Sequence, residues 1–312
     1  MTLLIPGYLH WPQSDLAHKQ TALAMGIFDG VHLGHQALLQ KLRLCAEQEP
    51  LTTVALTFDP HPAKVLSPAY APPLLEPIAA RVAHMQRLGV DAVVVHPFTK
   101  ETAQITAEDF VRDVLHGIFH VRHIVVGADF VFGHKQGGNV PLLTAMGRSL
   151  GFEVHGVPPV RIEGMVASST KIREFVHRGA LRGAQALLGR PYQLWGSFRH
   201  ETTAQPWRQV LPHCEQMPAP GLYAGWAQGE DGQKAQALVH VAHLGDDDDA
   251  TVTILAHPVS PREPLPQSLR YLTLLSRLHA MPLGAAMAWR APSELDLTAA
   301  REVLGAFTKN NT

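Results

Sequence analysis

The sequence predicts an α/β protein: a doubly wound, Rossmann-like parallel sheet followed by a small, mostly-β, barrel-like domain with terminal helices. Three observations carry that expectation. Short apolar or β-branched runs alternate with segments of helical period through Val157. After Gly189-Arg190-Pro191 the pattern changes to short alternating runs divided by Gly, Pro and Asp. At 312 residues the chain is also longer than one hydrophobic core usually organises. A first domain over 1–186 and a second over 187–312 follow.

Taken in order, residues 23–25 read as a strand end, and a Gly/Asp-rich turn leads into a helix over 36–48, where Leu38, Leu39 and Leu42 recur at helical spacing. T-T-V-A-L-T, 52–57, has the length of a buried strand, and a Pro-rich irregular stretch runs from it through Pro77. A helix over 78–88 stops at Gly89, and 92–95 forms the next strand, as a crossover connection requires. The unit repeats as a helix over 106–118 entered through Thr106, a strand over 123–126, a helix over 142–150 and a strand over 153–157. In the second half, 222–226, 237–241 and 251–255 read as strands, and 269–277 and 297–307 as helices.

Hydrophobic residues make up 46% and charged residues 17%, which describes a folding chain rather than a disordered one. A net charge of −1 supplies no basic surface for a phosphate backbone, so nucleic acid is not expected as a partner. No run approaches a membrane span and residues 1–8 lack signal-peptide character, so a cytoplasmic protein with no membrane association is expected. Cys45 and Cys214 lie far apart without metal-ligand spacing and read as inert thiols in a reducing compartment. The 19 histidines are mostly scattered, among them His84, His96, His116, His120 and His155, and count alone assigns them no role. The run 246–249 of four aspartates reads as a solvated loop.

Open parallel sheets bind ligands at the carboxyl ends of their strands, which gives the loops there priority. In G-I-F-D-G-V-H-L-G-H, 26–35, Gly26, Gly30 and Gly34 permit close backbone approach, and the following helix offers free N–H groups and a favourable dipole to an anion. His32 and His35 suit charge growing on a phosphate in a pentacoordinate transition state; the plain reading is a Gly-rich turn with incidental histidines. T-F-D-P-H-P, 57–62, offers Phe58 to a flat ring and Asp59 and His61 as polar contacts, or is an ordinary Asp-Pro turn. In V-G-A-D-F-V-F-G, 126–133, Asp129 suits a magnesium ion or a ribose hydroxyl, while Phe130 and Phe132 suit an aromatic wall or core packing. A-S-S-T-K-I-R, 167–173, sets three hydroxyls before Lys171 and Arg173 at a predicted helix start. Capping accounts for one hydroxyl, and a triphosphate for the set.

At these residues the chain resembles the bacterial FAD synthetase family, whose members carry a nucleotidyltransferase domain followed by a riboflavin kinase domain. The resemblance rests on G-x-F-D-G-V-H-x-G-H, T-F-D-P-H-P, the 126–133 loop with 134–139, S-S-T-K-I-R and L-L-G-R-P-Y at 187–192, in family order. It covers residues from about 20 to 195. It implies ATP and FMN as substrates, Mg²⁺ as cofactor, and transfer of AMP to FMN by in-line displacement. His32, His35 and Arg173 are then the catalytic candidates. ATP falls to Gly26, Phe28, Asp29, Gly30, Gly34, Ser168, Ser169, Thr170 and Lys171, flavin to Phe58, Asp59, His61 and Phe132, and the metal to Asp129. Many relatives have Asn where this chain has Ile27.

The second half departs from the family. Its kinase motif, a Gly-rich stretch ending in Pro-Thr-Ala-Asn, occurs nowhere, and around 195–209 the chain reads W-G-S-F-R-H-E-T-T-A-Q-P-W-R-Q. Only features such as Pro220-Gly221-Leu222-Tyr223 persist, and Leu244-Gly245 runs straight into the aspartates. A degenerate riboflavin-kinase-like domain without kinase activity is therefore expected. Three alternatives stand beside this reading: a flavin- or nucleotide-binding protein that has lost catalysis, adenylyl or cytidylyl transfer to another phosphorylated small molecule, and a fully bifunctional enzyme.

Overall fold

The computed structural model describes residues 3–198, 208–213, 215–244, 251–280 and 292–310. Cys214, the run 246–249 and most of the stretch where the kinase motif would fall lie outside the described residues. Two units separate by their internal contacts: residues 1–72 with 78–167, and residues 73–77 with 168–312. The packing boundary thus falls between residues 167 and 168, whereas the expected boundary between 186 and 187 is drawn on function.

The first unit is built on a six-stranded sheet: β1 (Leu3–Ile5), β2 (Thr21–Met25), β3 (Thr52–Asp59), β4 (Ala92–Pro97), β5 (Val121–Gly127) and, after two short strands β6 (Val131–Phe132) and β7 (Gly138–Asn139), β8 (Glu153–Val157). Every pairing is parallel, in the spatial order β1-β4-β3-β2-β5-β8. The chain therefore steps outward from β2 to β3 and β4, then crosses back to β5 and β8, placing the topological switch between β2 and β5.

Side chains alternating along β2 explain the two faces. Ala22 and Ala24 join a core with Leu39, Leu42 and Cys45 of α1 (Leu33–Gln48) and, beyond the short α2 (Pro62–Leu66), with Val82 and Met85 of α3 (Ile78–Arg87). Leu23 and Met25 point the other way. They join Phe110, Val111 and Leu115 from the segment entered by α4 (Ala107–Asp109), and Leu143 of α5 (Val140–Leu150). The small Ala22 and Ala24 leave room for α1 on its face, and the larger residues fill the opposite one.

The expected helix over 106–118 starts where anticipated: the Thr106 hydroxyl accepts a hydrogen bond from the Asp109 N–H at 3.1 Å. From Phe110 to His116, however, it runs as a π-helix. α1 begins three residues earlier than its leucine spacing implied, so Gly34 and His35 lie in its first turn. An antiparallel pair, β9 (Arg161–Ile162) and β10 (Met165–Val166), closes the unit.

The second unit opens with α6 (Ser169–His177) and α7 (Leu181–Leu188). Six antiparallel strands follow: β11 (Tyr192–Phe198), β12 (Arg208–Pro212), β13 (Gly221–Gln228), β14 (Lys234–Leu244), β15 (Thr251–Pro258) and β16 (Tyr271–Ala280). They close into a barrel in the order β11-β12-β15-β14-β13-β16. Terminal α8 (Glu294–Asn310) lays Ala300 and Leu304 against Ala224, Trp226 and Leu275.

One expectation is corrected here. Of the segment 269–277, expected as a helix, residues 271–277 belong to strand β16, which pairs with both β11 and β13 and completes the barrel. Leucine spacing of three fits a helix locally, but barrel closure demands a sixth strand and tertiary pairing overrides the period. At Gly225, where the β13–β16 register shifts, a Cβ would run into the Thr273 carbonyl, so the close strand approach requires glycine. Among the described residues, no helix is long and apolar enough to cross a membrane.

Candidate functional site

The switch point between β2 and β5 is flanked by Gly26, just past β2, and Gly127, which ends β5. The loop after β2 is held from below at one atom. The Ile27 carbonyl accepts hydrogen bonds from the Thr57 hydroxyl at 3.1 Å and from Arg81 Nη1 at 2.9 Å. Arg81, whose side chain is wholly buried on α3, also places Nη2 3.3 Å from Asp59 Oδ1. Asp59, expected as a flavin contact, thus anchors a buried guanidinium that shapes the loop.

Phe28, assigned to ATP, is fully buried in the α1 face of the core, and Asp29 is buried beside it. Phe28 adopts φ 55° and Gly30 φ 82°, turning the chain sharply before the helix. His32 occupies the N-cap position of α1 without a side-chain cap bond, and its ring stacks on His35 with centroids 3.7 Å apart. Phe28 meets His35 edge-on at 5.2 Å. A Cβ on Gly34 would come within 3.0 Å of the His32 ring and 3.2 Å of the Ala167 carbonyl, so only glycine fits there without displacing the histidine. The pair of imidazoles and the first N–H groups of α1 consequently share one small region, suited to phosphate oxygens.

Beyond this loop, a cavity of about 550 Å³ lies at the carboxyl ends of the strands. That volume is in the range typical of small-ligand pockets. Gly26 and Ile27 form one side, and the walls are aromatic: Phe58, Phe98, Phe110, Phe130 and Phe132. Phe130 and Phe132 lie nearly parallel at 5.7 Å, while Phe58 meets Phe98 edge-on at 5.9 Å. His61, His96 and His134 supply the polar edges. The His61 Nδ1 accepts from the Ala63 N–H at 3.1 Å, which fixes its ring at the start of α2. Burial lowers His96 to about 4, so its ring is neutral at neutral pH.

Of the residues singled out from the sequence, Gly26, Phe58, His61 and Phe132 meet in this cavity, and His32 and His35 meet each other at the helix start. Asp59 and Asp129 do not line the cavity; Asp129 is exposed in the loop after β5. Ser168, Ser169, Thr170, Lys171 and Arg173 belong to the second unit. There Ser168 caps α6, its hydroxyl accepting from the Lys171 N–H at 3.3 Å. Lys171 pairs with Glu174 at 2.7 Å, which holds the Glu174 carboxyl below its ordinary range, and Arg173 donates from Nε to the Pro73 carbonyl at 2.8 Å.

Sequence reasoning missed Arg81, His96, Phe98 and His134. The signal for His96 and Phe98 was present, because V-V-V-H-P-F carries them directly past a strand. Arg81 lies inside a helical period among apolar neighbours and gave none.

The FAD synthetase family model matches residues 14–171, half of the chain. A Listeria monocytogenes protein named bifunctional riboflavin kinase/FMN adenylyltransferase is 38% identical over 62% of this chain and 62% of its own length. Proteins of the same name from Haemophilus influenzae and Escherichia coli are 33% and 31% identical, covering 65% and 68% of this chain and 68% and 69% of theirs. Among solved structures, a Streptococcus pneumoniae protein described as a macrolide-efflux protein superposes with a TM-score of 0.77 over 99% of both chains. At 24% identity that likeness concerns the fold alone. The barrel of the second unit fits a riboflavin-kinase-like domain. With a matching family model over half its length and relatives above 30% identity, this nucleotidyltransferase belongs to the FAD synthetase family.

Proposed function

We propose that the chain transfers the AMP half of ATP to FMN, giving FAD and pyrophosphate, and that it does not phosphorylate riboflavin. The observation that carries the first part is the aromatic cavity opening beside Gly26 at the switch point. A planar, largely apolar ring system is the ligand its walls suit, with the Gly-rich loop and helix start adjacent for phosphates. The bifunctional relatives act, by their name, on riboflavin and FMN.

In this mechanism an FMN phosphate oxygen forms a bond to the α-phosphorus of ATP as the bond from that phosphorus to the β-phosphate bridge breaks, and pyrophosphate departs with the electron pair. No side chain forms a covalent bond. His32 and His35 donate N–H groups to the phosphate oxygens on which charge grows, and the first turn of α1 adds backbone donors. Ser168, Ser169, Thr170, Lys171 and Arg173 are assigned to the triphosphate on their residue types and the motif they form. Asp129 offers one exposed carboxylate, an oxygen ligand of the kind that would hold a Mg²⁺ ion. When bound, that ion neutralises phosphate charge. Phe58 and Phe132 hold the flavin, and His61 lines its edge.

The absence of kinase activity rests on the missing Pro-Thr-Ala-Asn motif. No nucleic-acid partner is proposed at a net charge of −1, and we place the protein in the cytoplasm. Purified protein incubated with FMN, ATP and Mg²⁺ is expected to release pyrophosphate and form FAD, and with riboflavin in place of FMN to form neither FMN nor ADP. Flavin binding without pyrophosphate release would support a binding protein instead. FMN formation from riboflavin would overturn the second half of the proposal.

A further inference from the structure

Beside the edge strand β8, away from the loops proposed to bind phosphate, three side chains from distant parts of the sequence converge. Cys45 on α1, His123 on β5 and His155 on β8 bring one donor atom each to within 4.8 Å of the others. The convergence follows from sheet geometry. His123 shares the face of Val125, and His155 that of Val157, both of which pack on the α1 side, and β5 and β8 are parallel neighbours. Cys45 lies 13 residues past His32 along α1, roughly 20 Å from the helix start. The cluster is thus remote from the proposed phosphate site.

We propose that Cys45, His123 and His155, with the Glu153 carboxylate as fourth ligand, form a binding site for a borderline-soft divalent transition-metal ion of the zinc type. The distances fit. His123 Nδ1 and His155 Nε2 are 3.0 Å apart. Two nitrogens of one tetrahedral zinc ion, each ~2.0–2.1 Å from the metal, are separated by roughly 3.3 Å. Glu153 Oε2 stands 3.8 Å from His123 Nδ1 and 3.9 Å from His155 Nε2, facing the same two nitrogens. Its side chain is 73% exposed and swings with little resistance. Glu49 Oε1, one helical turn past Cys45, lies 3.7 Å from His123 Nε2 and orients that ring through its second nitrogen.

The chemistry fits as well. A thiolate and a carboxylate together balance a divalent charge, and the two imidazoles bind as neutral ligands. The Cys45 thiol gives up its proton to solvent as the metal–sulfur bond forms. A sulfur- and nitrogen-rich set of this kind discriminates against Mg²⁺, which keeps the two ion requirements separate. Metal here would pin the last turns of α1 to the sheet edge.

Cobalt(II) tests the site, because thiolate ligation produces a near-ultraviolet charge-transfer band and tetrahedral coordination produces strong visible bands. One equivalent of Co²⁺ per full-length chain is expected to give both, Zn²⁺ to bleach them, and Mg²⁺ to leave them unchanged. Cys45→Ser is expected to abolish the charge-transfer band, and Cys214→Ser to preserve it. His155→Gln, on the edge strand, is expected to weaken Co²⁺ binding at least tenfold, and it serves if Cys45→Ser does not fold. Wild-type protein that shows no thiolate band overturns the proposal. So does a band that disappears in Cys214→Ser, or unchanged affinity and spectrum in His155→Gln.

Discussion

The buried ion pair under the nucleotide loop allows a quantitative test, because its two partners differ in exposure. Arg81 is wholly enclosed, whereas the Asp59 side chain is 41% exposed. Replacing Asp59 by Asn leaves an enclosed cation whose remaining anchor is the Ile27 carbonyl, and Arg81 Nε is buried with no hydrogen-bond partner among the described residues. Breaking a fully buried pair from one side costs about 3–5 kcal/mol; screening at the half-exposed carboxylate reduces this to about 2–3 kcal/mol. Arg81→Met removes the buried charge itself. The carboxylate regains water, the Ile27 carbonyl keeps its bond from Thr57, and the expected loss is about 1–2 kcal/mol. The Asp59→Asn, Arg81→Met double variant should therefore be more stable than Asp59→Asn alone. Urea unfolding at constant m-value measures all three, and KM for ATP should rise in each variant as the Gly26–Ile27 turn loosens. Additive losses, or an Arg81→Met variant less stable than Asp59→Asn, would refute the view that a desolvated guanidinium is the costly member.

Three further outcomes are expected. Phe132→Ala removes one wall of the cavity and should weaken FMN binding about tenfold, a loss of ~1.5 kcal/mol, as read by quenching of flavin fluorescence; unchanged affinity would place the flavin elsewhere. His32→Ala with His35→Ala should lower kcat by roughly 10³-fold or more while FMN affinity holds, because the donors act on charge that grows in the transition state. The third concerns pH. His96 is depressed to about 4 from 6.5, so below 6.5 the unfolded chain takes up a proton that the folded chain refuses. Its contribution is complete above pH 6.5 and declines toward pH 4, by at most about 3 kcal/mol, and His96→Asn should flatten that part of the stability profile measured by denaturant midpoints.

Much of the first unit was legible because its signals are local. Leu23 to Met25, T-T-V-A-L-T and the run at Ala92 each carry enough apolar or β-branched character to mark a buried strand, and parallel pairing follows from the helices between them. The positions of the loops were legible for the same reason: a Gly-rich or Asp-Pro turn directly past an apolar run marks where a strand ends. What escaped depends on partners distant in sequence. Residues 271–280 carry helical leucine spacing and become a strand only because β11 and β13 offer two open edges. Asp59 was visible as a polar group after a strand, but its counter-ion Arg81 sits 22 residues later in a helix, between the apolar Ala80 and Val82. Cys45, His123 and His155 looked unrelated because no spacing rule connects a helix to two strands that a sheet later places side by side.

The central claim is that the adenylyl half of ATP, and not its terminal phosphate, passes to a flavin. ATP labelled at the α-phosphorus and, separately, at the γ-phosphorus, incubated with FMN and the full-length protein, tests it most directly. The α-label should appear in FAD and the γ-label in pyrophosphate. A γ-label recovered on flavin, or an α-label that never joins flavin, would contradict the account.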